Sequence, residues 1–285
     1  MRPDYITEAF LQQFTSSALA EDIGDGDHTT LASIPAKLNK KAKLLVKDDG
    51  ILAGVELAQY IFRGFDPGLK LDISLSDGFP VRKGDIAFTV EGSAQSILTT
   101  ERLVLNCMQR MSAIATKTHM LRTLIDGTKA KLLDTRKTTP NFRLIEKWAV
   151  LIGGGLNHRI GLYDMIMLKD NHIDMAGGIE KAINRTKDYL RARNKNLEIE
   201  IETRSLKEVE EVMRVGGVHT IMLDNMDLET MRRAIVLIGG AYKTEASGGI
   251  NEETIRGVAE TGVDFISVGS VTHSVDSLDM SLKAF

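Results

Sequence analysis

The sequence has little cysteine, no long hydrophobic run and no strong excess of charge of one sign. Cys107 is the one cysteine among 285 residues, which excludes a disulfide framework and a cysteine-ligated zinc site and fits a reducing cytoplasm. A net charge of −3 argues against a general nucleic-acid or membrane-surface binder. No apolar run approaches the roughly 20 residues that span a bilayer, and the opening MRPDYITEAF lacks the apolar core of a signal peptide. We therefore expect a soluble cytoplasmic enzyme or metabolite binder.

The first hundred residues have the pattern of a small α+β domain. Residues 4–20 resemble an amphipathic helix, and a polar turn follows at 21–30. Four strand-like runs come next, separated by turn residues: AKLLVKDD, GILAGVEL, LDISLSDG and DIAFTVEGS. This spacing predicts a largely antiparallel sheet in a first domain over 1–115. A helix from about Thr99 to Ile125 leads into a second domain over 116–285, with its methionines as core filler.

From residue 130 the chain alternates between strand-like and helix-like segments. Six strand candidates follow one another: AKLLDTRK, DMIMLKDN, LEIEIETR, HTIMLDN, YKTEASGG and DFISVGS. Helical patterns lie at 176–193, 205–215, 227–238 and 251–260. Such alternation predicts a parallel sheet with crossover helices, either closed into a barrel or open and doubly wound.

The predicted strands end in polar or glycine-rich groups. These groups are Arg136-Lys137, Lys169-Asp170-Asn171, Glu202, Asp224-Asn225, Glu245 with Ser247-Gly248-Gly249, and Gly269-Ser270. In a parallel β/α barrel the C-terminal ends of all strands meet at the face that carries the active site. One such charge could be a solvated loop residue, but all six groups together predict a functional site.

Cations are concentrated between residues 134 and 172. Arginine offers a planar fork for carboxylates and phosphates, whereas lysine acts as a compact point charge. A site that mixes both predicts a substrate with several anionic groups. Arg143 and Lys147 are an exception, because their i, i+4 spacing predicts a solvated helix face for Lys147.

The segment GGGLNHRIG at 153–161 is neither a Rossmann nor a P-loop pattern. Its glycines permit either close backbone approach to a ligand or a sharp turn after a helix. His158 alone could be a structural histidine. Its neighbours Asn157 and Arg159 favour an anion pocket.

Two carboxylates and two glycine-containing turns complete the pattern. Glu202 and Asp224 could bind Mg²⁺, directly or through water, or stabilise a developing positive charge. A general-base role is less attractive, since nothing in the sequence pushes either pKa in an obvious direction. SGGI at 247–250 and VGS at 268–270 precede helix-like segments, where backbone N–H groups can bind phosphate. Phosphoribosyl or sugar-phosphate chemistry is the prediction.

Several of these segments also resemble one known family. DTRKTTP, GGGLNHRIGLYDMIMLKDNHI, EIE before a helix, IMLDN, EASGGI and ISVGS are similar, in order and spacing, to the quinolinate phosphoribosyltransferases. The N-terminal EDIGDGDHTT and TERLVLNCMQRMSAIAT extend the resemblance over nearly the whole chain. It implies an α/β protein with an N-terminal α+β open sandwich and a C-terminal incomplete β/α barrel of six to seven strands. The C-terminal segment is expected to pack back on the N-terminal domain.

The resemblance implies a reaction of NAD biosynthesis. Quinolinate and phosphoribosyl pyrophosphate, with Mg²⁺, would give nicotinate mononucleotide, pyrophosphate and CO₂. The implied assembly is a homodimer or hexamer in which Arg102 enters the neighbouring subunit's site. Alternatives are a same-fold paralogue associated with molybdenum transport, a nicotinate phosphoribosyltransferase, or a non-catalytic sensor of phosphoribosyl compounds, against which the acidic pair argues.

The resemblance also assigns roles by position. The implied substrate-binding residues are Arg102, Arg136, His158, Arg159, Ser247, Gly248, Gly269 and Ser270. The implied catalytic residues are Lys137, Lys169, Glu202 and Asp224, of which the two acidic residues are also the implied metal ligands. Asn141 stands where the family usually has glycine, and asparagine tolerates left-handed backbone, so we expect the turn to be preserved. Trp148 in place of a commoner tyrosine predicts only a packing change.

Overall fold

The computed structural model describes residues 2–285, which form two compact units. The first contains the chain up to His119 together with Thr139–Gly154 and Ser274–Phe285. The second contains Met120–Thr138 and Gly155–His273. This grouping differs from a simple division at residue 115, because the segment after the first barrel strand and the C-terminal segment both belong to the first unit. Within residues 2–285, no helix combines the length and the apolarity needed to cross a membrane.

The first unit is built on antiparallel sheet. Its strands are β1 (Asn39–Val46), β2 (Gly50–Ile51), β3 (Lys70–Ile73), β4 (Pro80–Val81), β5 (Ile86–Ser93) and, from the chain's end, β12 (Met280–Ala284). Four of them form a sheet in the order β12-β1-β5-β3, and β2 pairs with β4. Alternate residues of β1 are buried, and Leu44 of β1 lies opposite Leu282 of β12. The C-terminal strand thus completes the N-terminal sheet.

The helices of this unit include one that the sequence pattern had assigned to a strand. They are α1 (Glu8–Ile23), α2 (His28–Ser33), α3 (Val55–Phe65), α4 (Ala94–Leu124), which continues into the second unit, and α5 (Arg143–Ile152). The predicted strand GILAGVEL is wrong beyond Ile51, because α3 begins at Val55. Buried residues at helical spacing, such as Ala58, Ile61 and Phe62, hold α3 in the core. Gly54 precedes it with φ 97°.

Helix α5 is buried on all sides, which corrects the prediction for Lys147. All six residues from Ile145 to Val150 are buried, and Lys147 is 0% exposed. The i, i+4 spacing with Arg143 therefore does not mark a solvated face. Gly153 ends this helix against α4, where an added Cβ would lie 2.4 Å from the Ala115 carbonyl oxygen. Close packing of two helices, rather than approach to a ligand, explains this glycine.

The departures from the family pattern behave as expected. Asn141 has φ 61°, so the left-handed turn is preserved without glycine and that prediction is confirmed. Trp148 is 1% exposed in the core of the first unit.

The second unit is an incomplete parallel β/α barrel, as predicted. Its strands are β6 (Lys131–Leu133), β7 (Ile166–Leu168), β8 (Ile199–Thr203), β9 (Thr220–Asp224), β10 (Lys243–Ser247) and β11 (Phe265–Ser267). They are all parallel, in the order β6-β11-β10-β9-β8-β7. A single parallel bridge between Leu133 and Leu156 adds a short seventh element beside β6. The polar strand ends consequently meet at one face.

Crossover helices follow the strands. They are α6 (Asp170–Ala176), α7 (Ile179–Ala192), α8 (Leu206–Val215), α9 (Leu228–Ile238), α10 (Ile255–Ala259) and α11 (Ser270–His273). Four correspond to the predicted helical stretches, and α6 was missed because it begins directly after β7. All five residues of β8 are buried. Since side chains alternate along a strand, Glu200 and Glu202 project from the same face of β8.

Candidate active site

Eleven of the twelve predicted site residues lie in the second unit, at or just beyond the C-terminal ends of its strands. Arg136 and Lys137 follow β6, Lys169 follows β7, Glu202 and Asp224 lie in β8 and β9, and Ser247 ends β10. Gly248 comes next, Gly269 and Ser270 follow β11, and His158 and Arg159 belong to the segment after the Leu156 bridge. The barrel topology therefore gathers these residues at one mouth.

Lys137 is held beside the turn after β11. The Thr272 hydroxyl donates to the Lys137 carbonyl oxygen at 2.8 Å. A Cβ added at Gly269 would lie 3.0 Å from Cδ of Lys137, so a glycine at this position leaves room for the lysine side chain. The ammonium-bearing residue is nevertheless exposed. Lys137 is thus fixed by its backbone and free to present its charge at the mouth.

Arg136 and Arg159 place two guanidinium groups in one neighbourhood. Burial and the nearby charge of Arg136 both lower the pKa of Arg159. Nη1 of Arg159 donates to the Met165 carbonyl oxygen at 3.2 Å. Nε of Arg136 is buried and has no hydrogen-bond partner among residues 2–285. A buried donor without a partner beside a second cation is the arrangement that an anionic ligand would satisfy.

Lys169, Glu202 and Asp224 form a charged group across three adjacent strands. Nζ of Lys169 lies 2.5 Å from Oε1 of Glu202, and the Asp170 N–H donates to Oε2 at 3.1 Å. Burial raises the pKa of Asp224, and the Glu202 charge adds to this rise, while Asn225 and Lys169 oppose it. The structure therefore raises the pKa of Asp224, a shift that was not expected from the sequence.

The turn after β10 requires glycine for a specific reason. Asn225 adopts φ 52°, and its N–H donates to the Ser247 carbonyl oxygen at 2.9 Å. A Cβ at Gly248, where φ is 97°, would lie 2.2 Å from Oδ1 of Asn225. The helices after this turn and after Gly269 have only five and four residues. The exposed backbone of the turns, more than a helix dipole, is therefore what a phosphate would meet here.

One site-proximal residue, Glu200, was missed in the sequence, and Glu245 was noted only as part of a polar strand end. Nε2 of His158 lies 3.0 Å from Oε2 of Glu200 and 3.4 Å from Oε2 of Glu245. Burial lowers the pKa of His158, but the two carboxylates outweigh it and raise the pKa to about 10. The Arg159 N–H, which donates to Nδ1 at 2.7 Å, favours the neutral ring and opposes that rise. Burial also raises the pKa of Glu200. The signal for Glu200 was the alternation of glutamates in LEIEIETR, which places Glu200 on the same face of β8 as Glu202.

Arg102 lies in the first unit, on α4. Its side chain is 70% exposed, and the nearest ionic partner is Glu101, 3.6 Å away. Such an arginine is available to another molecule, and its predicted role in a neighbouring subunit stays a prediction.

The donor set at Glu202 and Asp224 suits a metal that keeps its own water. Both oxygens of Glu202 already accept hydrogen bonds, whereas Oδ2 of Asp224 accepts one from Asn225 at 2.8 Å. Mg²⁺ commonly binds to one or two carboxylates together with waters and substrate phosphates. The two residues therefore fit a phosphate-bound Mg²⁺ contacted by Asp224 or through water, and do not form an all-protein metal cage.

Comparisons with known proteins agree with this arrangement. Residues 27–112 match the family model described as quinolinate phosphoribosyl transferase, N-terminal domain, and residues 114–283 match the C-terminal domain. Quinolinate phosphoribosyltransferase (decarboxylating) 1b of Nicotiana tabacum is 48% identical over 282 residues, which cover 93% of this chain and 80% of the relative. The chloroplastic nicotinate-nucleotide pyrophosphorylase (carboxylating) of Arabidopsis thaliana is 48% identical over 281 residues, with the same coverage.

A solved structure extends the likeness to the backbone. The crystal structure of NadC from Streptococcus pyogenes superposes with a TM-score of 0.92 at 40% identity, covering 98% of this chain and 97% of that one. The two family models together span both units, including the strand ends described above. The chain therefore belongs to the quinolinate phosphoribosyl transferase family.

Proposed function

We propose that the chain transfers the phosphoribosyl group of phosphoribosyl pyrophosphate to quinolinate in NAD biosynthesis. The products are nicotinate mononucleotide, pyrophosphate and CO₂. The observation that carries this proposal is the pairing of Arg136, whose buried Nε has no partner, with the neighbouring Arg159. Two adjacent guanidinium groups favour the binding of a ligand with more than one negative charge, and quinolinate carries two carboxylates.

The residues divide the work by charge. Arg136, Arg159 and His158 belong to the pocket for the quinolinate carboxylates, in which the two arginines bind the carboxylates, with Lys137 and Lys169 lining the site. Ser247, Gly248, Gly269 and Ser270 hold the phosphate of the ribosyl donor in their turns. Glu202 and Asp224 lie where positive charge develops on the ribose, which they stabilise electrostatically.

The reaction then needs mainly orientation. The pyridine nitrogen attacks the anomeric carbon, the bond to pyrophosphate breaks, and the pyrophosphate leaves with its electron pair. The ring nitrogen becomes a cation, and its positive charge stabilises the carbanion that remains on the neighbouring ring carbon when the adjacent carboxylate departs as CO₂. A proton from solvent replaces the lost carboxylate. The protein's contribution is to hold two polyanions in line against their mutual repulsion.

Magnesium belongs to this proposal as the companion of the pyrophosphate. When bound, Mg²⁺ neutralises charge on the leaving group. Asp224 and Glu202 are the residues of this chain that would hold it, directly or through water.

We also propose that the working form is a homodimer or a hexamer, in which Arg102 of one subunit completes the site of another. Mixing two inactive variants, Arg102→Ala and Lys137→Ala, tests this sharing directly. In a mixed dimer one site has both wild-type residues, so activity should return to roughly a quarter of the wild-type value. If subunits exchange and no activity returns, Arg102 is not shared.

The lone buried Cys107 and the absence of any other cysteine support a reducing cytoplasm as the place of action. The plant relative named above is chloroplastic by name. Fractionation of cells that express the chain, followed by immunoblotting, distinguishes a cytoplasmic from an organellar location.

One assay separates the proposed function from its alternatives. The protein is incubated with phosphoribosyl pyrophosphate, Mg²⁺ and either quinolinate or nicotinate, and nicotinate mononucleotide is quantified. We expect turnover in the reaction that contains quinolinate and none in the reaction that contains nicotinate. Turnover with nicotinate alone would identify a nicotinate transferase, and binding of both substrates without turnover would identify a sensor.

A further inference from the structure

The barrel interior contains a buried group of one histidine and two glutamates, here called the acid triad: His158, Glu200 and Glu245. The three side chains are 7%, 2% and 2% exposed, and their ligand atoms lie within 4.8 Å of one another. Oε1 of each glutamate is buried and has no hydrogen-bond partner among residues 2–285. Two buried carboxylates close to a pocket for a dianion would weaken binding, unless they serve another purpose.

The histidine ring uses both nitrogens within the protein. Nε2 faces the two carboxylates, at 3.0 Å and 3.4 Å. To donate a hydrogen bond to them, Nε2 must carry a hydrogen, whether the ring is neutral or protonated. Nδ1 lies 2.7 Å from the backbone nitrogen of Arg159. With both nitrogens engaged, His158 would have to give up a protein contact to bind a substrate carboxylate.

The turn that follows His158 is held by acidic side chains at each step. The His158 N–H donates to Oδ1 of Asp134 at 2.9 Å, and the Asn157 amide donates to Oδ2 at 2.7 Å. The Ile160 N–H donates to Asp164 at 2.6 Å. Arg159 lies between these anchors, and its own N–H is fixed by the His158 ring. The orientation of His158 therefore bears directly on the direction of Arg159.

The triad also supplies charge where two cations repel. The charge of Arg136 disfavours the charged form of Arg159, whereas Glu200 favours it. The negative charge of Glu200 thus offsets the repulsion that Arg136 exerts on Arg159 before an anionic ligand arrives. The ring contact and the charge act on the same arginine.

We propose that Glu200 and Glu245 are positioning residues that, through His158, orient the turn carrying Arg159 toward the quinolinate carboxylates. The proposal rests on the proposed function, since quinolinate is the ligand whose binding it affects. In this arrangement His158 acts through Arg159, and the carboxylates act through His158. The donor substrate, which binds at the turns after β10 and β11, is not affected.

Separate Michaelis constants for the two substrates test this assignment. Glu245→Gln and Glu200→Gln keep the side-chain shape and remove the charge. We expect the KM for quinolinate to rise about ten-fold in each variant, and the KM for phosphoribosyl pyrophosphate to stay within about two-fold. Glu198→Gln is the matched control, because Glu198 precedes the same strand but is 55% exposed and 3.7 Å from Lys243. Its kinetics should equal those of the wild type.

A double-mutant cycle distinguishes positioning from direct contact. If the glutamates act through the ring, His158→Asn combined with Glu245→Gln should raise the quinolinate KM no more than His158→Asn alone. Effects that multiply, or an unchanged quinolinate KM in both glutamine variants, would overturn the proposal. So would an equal rise in both Michaelis constants.

Folding and function are controlled separately. Circular dichroism shows whether each glutamine variant folds. If one does not, Glu245→Asp is used in its place, because it keeps the charge and shifts it by one methylene. A quinolinate KM of Glu245→Asp equal to that of the wild type would then overturn the proposal, and a selective rise would support it. The wild type reports on the proposed function. If wild-type protein does not turn over quinolinate, the proposed function fails; if it does and the variants show no selective change, only the positioning role fails.

Discussion

Two buried acidic clusters, one in each unit, differ in how completely they are satisfied. In the first unit Glu146 accepts from Nε and Nη2 of Arg110, at 3.0 Å and 2.9 Å, and from the Thr139 N–H and hydroxyl, at 3.0 Å and 2.9 Å. Both of its carboxylate oxygens have partners. In the second unit, Glu200 and Glu245 each have one buried carboxylate oxygen that lacks a hydrogen-bond partner within residues 2–285.

The difference separates a structural ion pair from a site. A closed network such as that of Glu146 holds α5 against α4 and leaves no capacity for a ligand. In the second unit, two carboxylate oxygens of the acid triad and the Nε of Arg136 have no hydrogen-bond partner among residues 2–285. Perturbed and unsatisfied polar groups are typical of functional sites, because the ligand completes the network. The predictions below test whether the two clusters really differ in this way.

The largest expected effect is on catalysis, from Lys137→Ala. Loss of a cation that stabilises charge at the site should lower kcat/KM by roughly 10²- to 10³-fold, with an unchanged thermal midpoint. Lys131→Ala is the matched control, since Lys131 is exposed at the opposite end of the same strand. Equal kinetics in both variants would remove Lys137 from the site.

The next effect is on stability, from Glu146→Ala. Breaking a buried ion pair typically costs 3–5 kcal/mol, and because Arg110 is 25% exposed we expect about 3 kcal/mol. Denaturant unfolding should show the loss, while the Michaelis constants of the remaining folded protein stay unchanged. Glu91→Ala, at the exposed pair with Lys41, serves as the control and should show little change. A selective rise in the quinolinate KM of Glu146→Ala would erase the contrast between the clusters.

A smaller effect is expected at the turn before α5. Asn141 has φ 61°, so Asn141→Ala should cost about 1 kcal/mol through left-handed strain, whereas Asn141→Gly should cost little. Unfolding midpoints of the two variants, compared at equal m-value, measure this. A midpoint for the alanine variant equal to that of wild type would show that this turn is not held in the left-handed conformation.

The smallest signal concerns Cys107. Burial raises the pKa of this thiol to about 12, and reaction requires the thiolate. Native protein at pH 8 should therefore not react with a thiol reagent over minutes, and denatured protein should react with one equivalent. Rapid reaction of the native protein would show that α4 opens locally and that the first unit is less closed than Glu146 suggests.

The barrel could be predicted from the sequence because polar or glycine residues mark the end of each of its strands. Each apolar run in the second half ends in charges or glycine, and this pattern identified nine of the eleven predicted site residues of the second unit; His158 and Arg159 came from the segment GGGLNHRIG. The antiparallel domain was harder to predict. GILAGVEL has strand-like composition, and the start of α3 at Val55 is decided by packing of its buried face, which short windows do not show.

Glu200 of the acid triad could not be predicted from strand ends. Glu200 lies two residues before Glu202, and only the barrel's curvature determines that this face of β8 points inward. The prediction of a solvated face for Lys147 was wrong because helical spacing does not reveal that α5 is enclosed on every side. In both cases burial came from elements distant in sequence, where local patterns carry no information.

Turnover of quinolinate labelled with carbon-13 in the carboxylate next to the ring nitrogen tests the central claim most directly. With phosphoribosyl pyrophosphate and Mg²⁺, the account predicts one labelled CO₂ for each nicotinate mononucleotide formed, and strongly reduced yields of both with Lys137→Ala. Nucleotide that retains the label, or product formed from nicotinate while quinolinate is left unused, would contradict it.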